Sequence, residues 1–486
     1  MSDLLALVVA VPIAVAVLPL VPLAVTRRLV APLAALVGGG QLLVAVVLFG
    51  RVTDGGQLRY AVGAYPPPFG IELVGDAVSL LLVGLIGLAT VVAVAQTRRG
   101  APPSPYLYSQ LLLASAGLAG LVVTGDVFNL YVFLEISGLA VYALVASRRS
   151  APAAVAALRY LLVGTVGASL YLLGVGFLYI STGTLNMADM AVQLQAVGLA
   201  APPVALGLVL IIVGLAVKVA LFPLHSWQPG AYRTAPPAVT TYMAAVVSTA
   251  AAYAIFRILT TVFTPAVGAA LPQLLLLVQV AAAVSMLAGA LLAVRQHDLR
   301  LVFAYSSVSQ FGVIVLGVSL LETAALVGAV IQLVGHGLLK LGLFVAIAQL
   351  VLVGGGATLS DMRGLGRVAP VRAAALSVSA LALVGVPPTV GFIGKWQVAI
   401  GAIEAGVWPF AVLIIASTLI TLAYVLRLLE LLYFPVSTSA HAVATDGGRP
   451  ARAVVPVAVA VASVLLGLVA EWYIPILAAA VGGAAG

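Results

Sequence analysis

The sequence predicts an all-α polytopic membrane protein, and three observations support this fold class. Of the 486 residues, 63% are hydrophobic and only 7% are charged. The mean hydropathy is +1.24, so a soluble protein of this length would have too few polar residues to cover its surface. Apolar segments of about 20 residues, long enough to cross a bilayer, recur along the chain.

Fourteen apolar segments are predicted to be transmembrane helices. Their approximate bounds are 4–25, 29–49, 74–96, 107–124, 127–146, 155–181, 204–228, 237–260, 273–294, 301–320, 324–352, 371–397, 405–434 and 452–478. The first segment follows Asp3 and lacks a small-residue cleavage site, so we interpret it as a retained helix rather than a signal peptide. We expect one transmembrane domain over residues 1–486, in which the polar stretches 50–70 and 436–452 are loops.

The arginines predict the orientation of these helices. Fourteen of them lie in the odd-numbered loops: Arg27, Arg28, Arg98, Arg99, Arg148, Arg149, Arg233, Arg295, Arg300, Arg363, Arg367, Arg372, Arg449 and Arg452. The even-numbered loops carry Arg51 and Arg59 and few other charges. Because cytoplasmic loops are enriched in basic residues, we expect the odd loops in the cytoplasm and both termini outside.

Composition also excludes several classes of function. The chain has no cysteine, which removes disulfides, thiol catalysis and cysteine-ligated iron–sulfur or zinc sites. No metal-spaced histidine and carboxylate cluster and no set of nucleophile, base and orienting group occurs in the sequence. The net charge is +8, but the arginines sit at helix ends without interleaved aromatic residues, so nucleic acid is not an expected partner. We expect contact with lipid, and neither an enzymatic site nor a bound cofactor or metal.

All three lysines, Lys218, Lys340 and Lys395, lie inside apolar segments. A cation at the bilayer centre costs about 2.5 to 3.5 kcal/mol on insertion scales, so such a residue is a candidate for function. Burial can bring the pKa of a lysine near neutrality, whereas arginine stays charged. The three lysines therefore indicate proton movement through the membrane.

Glu135 lies in the middle of the fifth segment, TGDVFNLYVFLEISGLAVYALVA. Two interpretations are open: a protonated acid that hydrogen-bonds between helices, or a carboxylate paired with a lysine of a neighbouring helix, which we favour. Lys218 lies in the seventh segment, GLAVKVALFPLHSWQPGAY, and Pro223 and Pro229 follow it. Proline breaks a transmembrane helix and is tolerated where the backbone is covered or lines a wet cavity. Long apolar flanks argue against Lys218 reaching the lipid interface.

Two histidines are candidates for proton relay. His336 and Lys340 are four residues apart in QLVGHGLLKLGLF, so they share a helix face and can exchange a proton. A packing role for His336 is the alternative. His225 follows Lys218 by seven residues, and we expect it two turns along the same face. Lys395 follows a second proline break in LVGVPPTVGFIGKW.

The broken segments are the seventh and the twelfth, five helices apart. This spacing predicts two related repeats, helices 4–8 (107–260) and helices 9–13 (273–434), with binding sites at the breaks. Three helices within 1–100 precede the repeats and a helix over 452–478 follows them. Ser306, Ser307 and Ser309 begin the tenth segment and could either bond helices together or hold water. His297 with Asp298 is interpreted as a cap or salt bridge rather than a proton entry point.

Several stretches together resemble the antiporter-like subunits of respiratory complex I, and most closely the family of D-type subunits of Mrp-type multisubunit Na⁺/H⁺ antiporters. They are TGDVFNLYVFLEI, ALRYLLVGTVGASLYLLGVGFLYISTGTLNMADMA, KVALFPLHSWQPGAY, LRLVFAYSSVSQFG, GHGLLKLGLF and GVPPTVGFIGKW. The resemblance implies fourteen helices, two inverted five-helix repeats, a prokaryotic cell membrane and other membrane subunits as partners. It also implies that Glu135 and Lys218 form a charge pair, and that Lys340 and Lys395 are central-axis lysines.

The chain departs from these families at two positions. Thr249 stands where the eighth helix usually has lysine or histidine, and Gly230 stands where related motifs have aspartate. Threonine can order water but cannot carry charge. We therefore expect the proton step between Lys218 and Lys340 to use water, His336 or a longer hop.

These features predict a proton-translocating subunit of a multisubunit Na⁺/H⁺ antiporter. Sodium prefers several oxygen ligands, whereas this axis offers mostly cationic nitrogen, so we expect the sodium route in a partner subunit. One alternative is a proton-pumping subunit of a quinone-dependent dehydrogenase or a membrane-bound hydrogenase. Another is a non-conducting scaffold subunit, which Thr249 favours and the three lysines oppose.

Overall fold

The computed structural model describes residues 2–20, 24–97, 104–264, 266–434 and 453–485, and helices dominate it. The first half contains α1 (Asp3–Val17), α2 (Ala24–Phe49), α3 (Ala77–Thr97), α4 (Pro105–Val123), α5 (Val127–Ala146), α6 (Ala151–Thr182), α7 (Met187–Val197), α8 (Pro202–Val219), α9 (Gln228–Thr234), α10 (Pro237–Tyr242) and α11 (Ser248–Arg257). The second half contains α12 (Val267–Ala270), α13 (Pro272–Val294), α14 (Leu299–Leu320), α15 (Thr323–Gly354), α16 (Leu365–Val368), α17 (Pro370–Val384), α18 (Val390–Glu404), α19 (Pro409–Tyr433), α20 (Val454–Leu468) and α21 (Ala470–Ala485).

Each of the fourteen predicted segments contains helix, which confirms the fold class. Among the described residues, eleven helical spans are long and apolar enough to cross a membrane, and the pair α20 and α21, bent by 79°, makes at most a twelfth. The helices α1 and α17 are apolar but shorter. Fourteen crossings, and the domain boundaries drawn from them, therefore stay predictions.

One strand of a two-stranded hairpin lies within the predicted loop 50–70, and the other strand follows directly after it. Strand β1 (Leu58–Ala61) pairs antiparallel with β2 (Glu72–Gly75). All four residues of β2 are buried, and Arg59 of β1 holds Glu72 with an Nη1–Oε1 distance of 3.1 Å. The predicted loop 436–452 lies outside the described residues, as do Arg98, Arg99, Arg449 and Arg452.

Both predicted helix breaks are present. In the seventh span α8 ends at Val219, Ala220 adopts a left-handed conformation with φ of 68°, and a 3₁₀ turn (Leu224–Trp227) leads into α9. The indole Nε1 of Trp227 donates to the carbonyl of Val217 at 2.8 Å, which satisfies one acceptor freed at the helix end. In the twelfth span α17 ends at the left-handed Gly385 (φ 93°), and α18 starts five residues later at Val390.

Glycine lets the broken seventh helix approach its neighbour closely. A Cβ built on Gly214 of α8 would lie 2.5 Å from the carbonyl oxygen of Gly167 on α6, and one built on Gly174 of α6 would lie 2.6 Å from that of Gly207. Small residues of this kind allow transmembrane backbones to pack in direct contact. This packing fixes the position of the last turn of α8, which carries Lys218.

The eighth span contains two π-helical turns that the sequence did not predict. Met243–Val247 precedes α11 and Ile258–Val262 follows it. A buried ion pair between Arg257 at the end of α11 and Asp76 at the start of α3 joins this span to the third. Arg257 is thus an arginine inside a span, stabilised by a carboxylate of another helix.

Matching local structures support the predicted repeats. The chain before α5 forms a β-bridge between Asp126 and Asn186, and the chain before α14 forms one between Asp298 and Thr358 at the same sequence separation. The intervening helices α6 and α15 both have 32 residues, and a left-handed glycine ends each of them. Asp298 caps α14 by accepting from the Arg300 backbone, as its interpretation as a cap predicted.

The fifth, seventh and ninth loops meet at one face of the bundle. Arg233 of the seventh loop lies 3.4 Å from Asp298 of the ninth, and Arg148 of the fifth donates to the carbonyl of Thr234 at 3.4 Å. On the opposite face Asn186 donates to Glu72 at 2.8 Å. Which face is cytoplasmic stays a prediction from the arginine distribution.

Candidate functional site

Glu135 and Lys218 form an ion pair between α5 and α8. The Nζ atom of Lys218 lies 3.0 Å from Oε1 of Glu135, and the two side chains are 21% and 8% exposed for the glutamate and the lysine. Nζ also donates to the hydroxyl of Tyr142 at 3.1 Å. The predicted pairing of charges is therefore present, and the lysine does not reach the lipid interface. The paired carboxylate offsets part of the cost of burying the ammonium.

Gly138 and Tyr142 complete this site, and neither was predicted from the sequence. They follow Glu135 by three and seven residues, spacings that put them on the same face of α5. A Cβ on Gly138 would lie 3.2 Å from the Tyr142 hydroxyl and 3.5 Å from Nζ of Lys218. The missing side chain therefore leaves the space in which the ammonium sits. The sequence signal that could have identified Tyr142 is its position, seven residues after Glu135, on the same helix face.

A small cavity of about 20 Å³ opens beside Lys218. Its wall includes Ser137 and Gly138 of α5, Val247 at the end of a π-turn, and Ala251 of α11. A volume of this size accommodates about one water molecule. The cavity extends from the ion pair toward the eighth span, where the families that this chain resembles carry a cation.

His225 does not lie on the face of Lys218, so that expectation was wrong. Its ring stacks on Phe222, with centroids 5.3 Å apart, and meets the edge of Tyr305 at 5.8 Å. The helical projection fails because α8 ends at Val219 and the chain leaves the α-helix before it reaches His225. Within the described ranges no hydrogen bond joins His225 to Glu135 or Lys218.

Thr249 is buried and donates to the carbonyl of Ala245 at 2.9 Å, a bond within its own span. The preceding residue makes the contact with the seventh span instead. The hydroxyl of Ser248 donates to the backbone carbonyl of Lys218 at 3.3 Å. A water-ordering role for Thr249 stays a prediction.

Lys340 is fully buried in the middle of α15 and is held by neutral groups. Its ammonium donates to the carbonyl of Phe303 and to the hydroxyl of Ser306. It also lies 5.4 Å from the ring centroid of Phe303 and 6.0 Å from that of Phe344, where the ring quadrupole stabilises a cation. No carboxylate lies within 4 Å of it in the part of the chain that is described.

The serine cluster divides into two roles. Ser306 contacts Lys340, and Ser307 donates at 3.3 Å to the same Phe303 carbonyl that Lys340 uses. Ser309 donates to the carbonyl of Met286 at 2.8 Å and so holds α14 to α13. Ser309 thus bonds helices together, which was one of the two alternatives, whereas Ser306 lies beside the lysine, and the water-holding alternative stays a prediction.

His336 precedes Lys340 by one turn on the same face of α15. Its ring meets Phe311 edge-on at 4.8 Å, which is a packing contact. Both ring nitrogens are buried, and neither has a hydrogen-bond partner among the described residues. Buried polar atoms in proteins normally have a partner, so the packing contact alone does not satisfy this ring, and the relay role of His336 stays a prediction.

Lys395 binds the end of the helix that is broken in its own span. Its Nζ donates to the carbonyl of Val384 at 2.7 Å and to that of Leu383 at 3.3 Å, and it lies 3.5 Å from the Thr418 hydroxyl. The last carbonyls of a helix carry partial negative charge and lack helical partners. The break at Gly385 therefore supplies the groups that stabilise the buried cation.

Comparison with known proteins gives a consistent result. A model of the NADH:quinone oxidoreductase/Mrp antiporter transmembrane family matches residues 124–421. The N-type subunit of the NADH-quinone oxidoreductase of Desulforudis audaxviator is 43% identical over 451 residues, 90% of this chain and 88% of the relative. The D-type subunit of the Na⁺/H⁺ antiporter of Bacillus subtilis is 32% identical over 394 residues, 80% of this chain and 78% of the relative.

A solved structure shares the whole fold. A chain in the structure of the Mrp complex from Dietzia sp. DQ12-45-1b superposes with a TM-score of 0.90 at 28% identity, covering 100% of this chain and 97% of that one. The family match covers the helices that carry Glu135, Lys218, Lys340 and Lys395. This chain therefore belongs to the NADH:quinone oxidoreductase/Mrp antiporter transmembrane family, as an antiporter-like membrane transport subunit.

Proposed function

We propose that this chain translocates protons along a buried row from Glu135 and Lys218 through His336 and Lys340 to Lys395, as a subunit of a multisubunit Na⁺/H⁺ antiporter. The Glu135–Lys218 ion pair carries the proposal. It combines a buried ionisable cation, a partly buried carboxylate and a broken helix at one place in the membrane. Buried ionisable groups in transmembrane helices are costly and typically mark ion pathways.

The ion pair acts as a switch in this mechanism. While Oε1 of Glu135 lies 3.0 Å from Nζ of Lys218, the carboxylate stabilises the protonated lysine. When α5 and α8 separate the two groups, the buried ammonium loses that stabilisation and releases its proton toward the row. Closing the pair restores the affinity of Lys218 for the next proton.

The two remaining lysines, Lys340 and Lys395, accept the proton in turn. Lys340 and Lys395 are held by carbonyls, hydroxyls and aromatic faces. These groups hold a charged lysine less firmly than a carboxylate does, so a proton on either residue can move on. We leave His225 out of the row because its ring stacks on Phe222 beyond the helix break.

Other membrane subunits of the same complex, in a prokaryotic cell membrane, supply the remaining functions of the antiporter. The row offers cationic nitrogens, whereas sodium requires several oxygen ligands. We therefore assign the sodium route to a partner. The similarity to the D-type subunit of an antiporter supports such a hetero-oligomer, and the arginine distribution supports placing both termini outside.

A redox-driven proton pump is the second candidate, and the 43% identity to a quinone oxidoreductase subunit favours it. The same row would then be driven by electron transfer in partner subunits. Mass spectrometry of the purified assembly distinguishes the two. Small membrane subunits alone support the antiporter, and iron–sulfur or nickel–iron subunits support the redox complex.

Alanine substitution at the ion pair tests the proposed function. We expect Glu135→Ala and Lys218→Ala, each in the intact assembly, to lower proton-coupled sodium efflux in vesicles at least tenfold. Glu404→Ala is the matched control, because Glu404 is an exposed carboxylate at the end of α18. Undiminished exchange in both ion-pair variants would contradict proton translocation and support the third candidate, a non-conducting scaffold.

A further inference from the structure

A polar cluster fills the gap between Lys218 and Lys340, and Gln228 lies at its centre. Gln228 is the first residue of α9, directly after the break in the seventh span, and its side chain is fully buried. Its Nε2 donates to the hydroxyl of Ser248 at 3.2 Å and to that of Tyr232 at 3.3 Å. The carboxamide therefore contacts groups on both sides of the gap.

The hydrogen bonds fix the orientation of this carboxamide. Ser248 donates its hydroxyl hydrogen to the backbone carbonyl of Lys218. Only its oxygen lone pairs then face Gln228, so the group that meets Ser248 must be the NH₂ and not the carbonyl. One side of the cluster thus ends at the residue that carries the ion pair.

The other side of the cluster lies near Lys340. The ring of Tyr232 meets the ring of Phe344 edge-on, with centroids 5.6 Å apart, and Nζ of Lys340 lies 6.0 Å from the Phe344 centroid. The polar groups of Ser248, Gln228 and Tyr232 therefore lie between the backbone of Lys218 and the surroundings of Lys340, and none of them requires an ionisable side chain at position 249.

One hydrogen-bond acceptor in this cluster, the carbonyl oxygen of Gln228, receives no hydrogen bond from the described residues. This atom, Oε1, is buried. A carbonyl oxygen without a donor is costly in a protein interior and normally binds water. A cavity with room for about one water lies beside Lys218, and its wall includes Val247, the residue that precedes Ser248 in the eighth span.

We propose that Gln228 is a positioning residue that binds water through Oε1 and so anchors the proton path between Lys218 and Lys340. The inference rests on the proposed function. The carboxamide stays neutral, and its NH₂ group donates to Ser248 and Tyr232. Gln228 therefore does not itself carry the proton. Water takes a proton from the Lys218 ammonium and releases another toward the Lys340 amine, which leaves the water and Gln228 unchanged.

Two substitutions at Gln228 test this proposal in the intact assembly. Gln228→Met keeps the length of the side chain but removes its acceptor, and we expect proton-coupled exchange in vesicles to fall at least tenfold. Gln228→Glu, as the neutral acid, keeps one acceptor oxygen and one donor for Ser248, and we expect it to recover most of the rate. Gln41→Met is the matched control, because Gln41 is also buried but uses both of its polar groups to join helices, at Val8 and Ser115.

The solvent isotope effect separates a proton path from a purely structural role. If the path is weakened, proton transfer limits the rate, so the ratio of rates in H₂O and D₂O should rise in Gln228→Met and stay unchanged in Gln41→Met. An unchanged rate in Gln228→Met overturns the proposal. So does a loss that Gln228→Glu does not reverse and that leaves the isotope effect unchanged.

Two further comparisons keep each outcome decisive. If Gln228→Met fails to assemble, the test rests on Gln228→Glu. Its carboxyl group can ionise, so the exchange rate should depend on pH in a range where the rate of the wild type is constant. Equal pH profiles then overturn the proposal. Lys218→Ala is measured in parallel: full activity there contradicts the proposed function, whereas loss there with normal Gln228→Met contradicts the role of Gln228 only.

Discussion

Lys218 sits between one charged and one neutral partner, and this arrangement determines how firmly it holds a proton. Glu135 accepts from Nζ at 3.0 Å and Tyr142 at 3.1 Å. The space for the ammonium exists because Gly138 has no side chain. A single cation thus depends on three residues on one face of α5.

The Tyr142 hydroxyl contributes to this balance without carrying charge. We expect Tyr142→Phe to lower transport about three- to tenfold, because a hydrogen bond to a charged group is worth about 1.5 to 3 kcal/mol and part of this is recovered by water. The ring should stay in place, since it packs edge-on against Tyr160 at 4.5 Å. Transport by the purified assembly measures the effect, with the exposed Tyr179→Phe as control. A rate equal to wild type would show that Glu135 alone sets the behaviour of Lys218.

For the individual residues of the site, the sequence predicted the ion pair but not the groups that surround it. The residues alone favoured a carboxylate at Glu135 paired with a lysine of a neighbouring helix, and the resemblance to antiporter-like subunits identified that lysine as Lys218. The position of His225 could not be predicted, because it depends on where α8 ends. Gln228 and Ser248 meet only after the broken helix folds back against the eighth span, which no local pattern records.

The breaks in the seventh and twelfth spans explain why the lysines lie where they do. Lys218 is in the last turn before one break, and Lys395 donates to the carbonyls of Leu383 and Val384 at the other. Breaking a helix inside a membrane frees carbonyls that need donors. The break and the buried cation therefore stabilise each other in the twelfth span.

Trp227 stabilises the break in the seventh span through a hydrogen bond from its indole N–H. We expect Trp227→Phe to lower the free energy of unfolding by about 1 to 2 kcal/mol, because the Val217 carbonyl loses the indole donor at 2.8 Å. Stacking on Tyr160 should be retained in the phenylalanine variant. Thermal unfolding of the detergent-solubilised protein measures this change. The exposed Trp396→Phe serves as control, and equal transition temperatures for the two variants would contradict the role of the indole N–H.

Elements with local signals were predictable and elements without them were not. Proline and glycine near Pro223 and Gly385 indicate breaks, and hydrophobic length indicates spans. The β1–β2 hairpin was missed because buried Glu72 is stabilised by Arg59 and by Asn186, which is distant in sequence. The π-turns in the eighth span also lack a sequence signature.

In the part of the chain that the structure describes, the two halves of the molecule carry matching local structures. The paired β-bridges before α5 and α14, and the equal lengths of α6 and α15, favour a repeat. The five-helix spacing of the broken spans predicted this from sequence. The sequence could not show that Lys395, near the break in the second half, binds helix-end carbonyls and not a carboxylate.

Because the chain contains no cysteine, single cysteines report its orientation directly. We expect Asp54→Cys, in an even-numbered loop, to react with a membrane-impermeant thiol reagent in intact cells. Arg363→Cys, in an odd-numbered loop, should react only after the membrane is permeabilised. Both positions lie in polar loops outside the predicted spans. The reverse pattern of labelling would show that the arginine distribution misleads and that both termini lie inside.

Release and recapture of a proton by Lys218 is the basis of the proposed mechanism, and Lys218→Arg isolates that step. Arginine keeps the positive charge and can still pair with Glu135, but it stays protonated at any physiological pH. We predict that the variant assembles with normal thermal stability and loses proton-coupled exchange in vesicles, measured against wild type under the same gradients. Exchange at the wild-type rate would refute the mechanism and leave Lys218 as a structural charge.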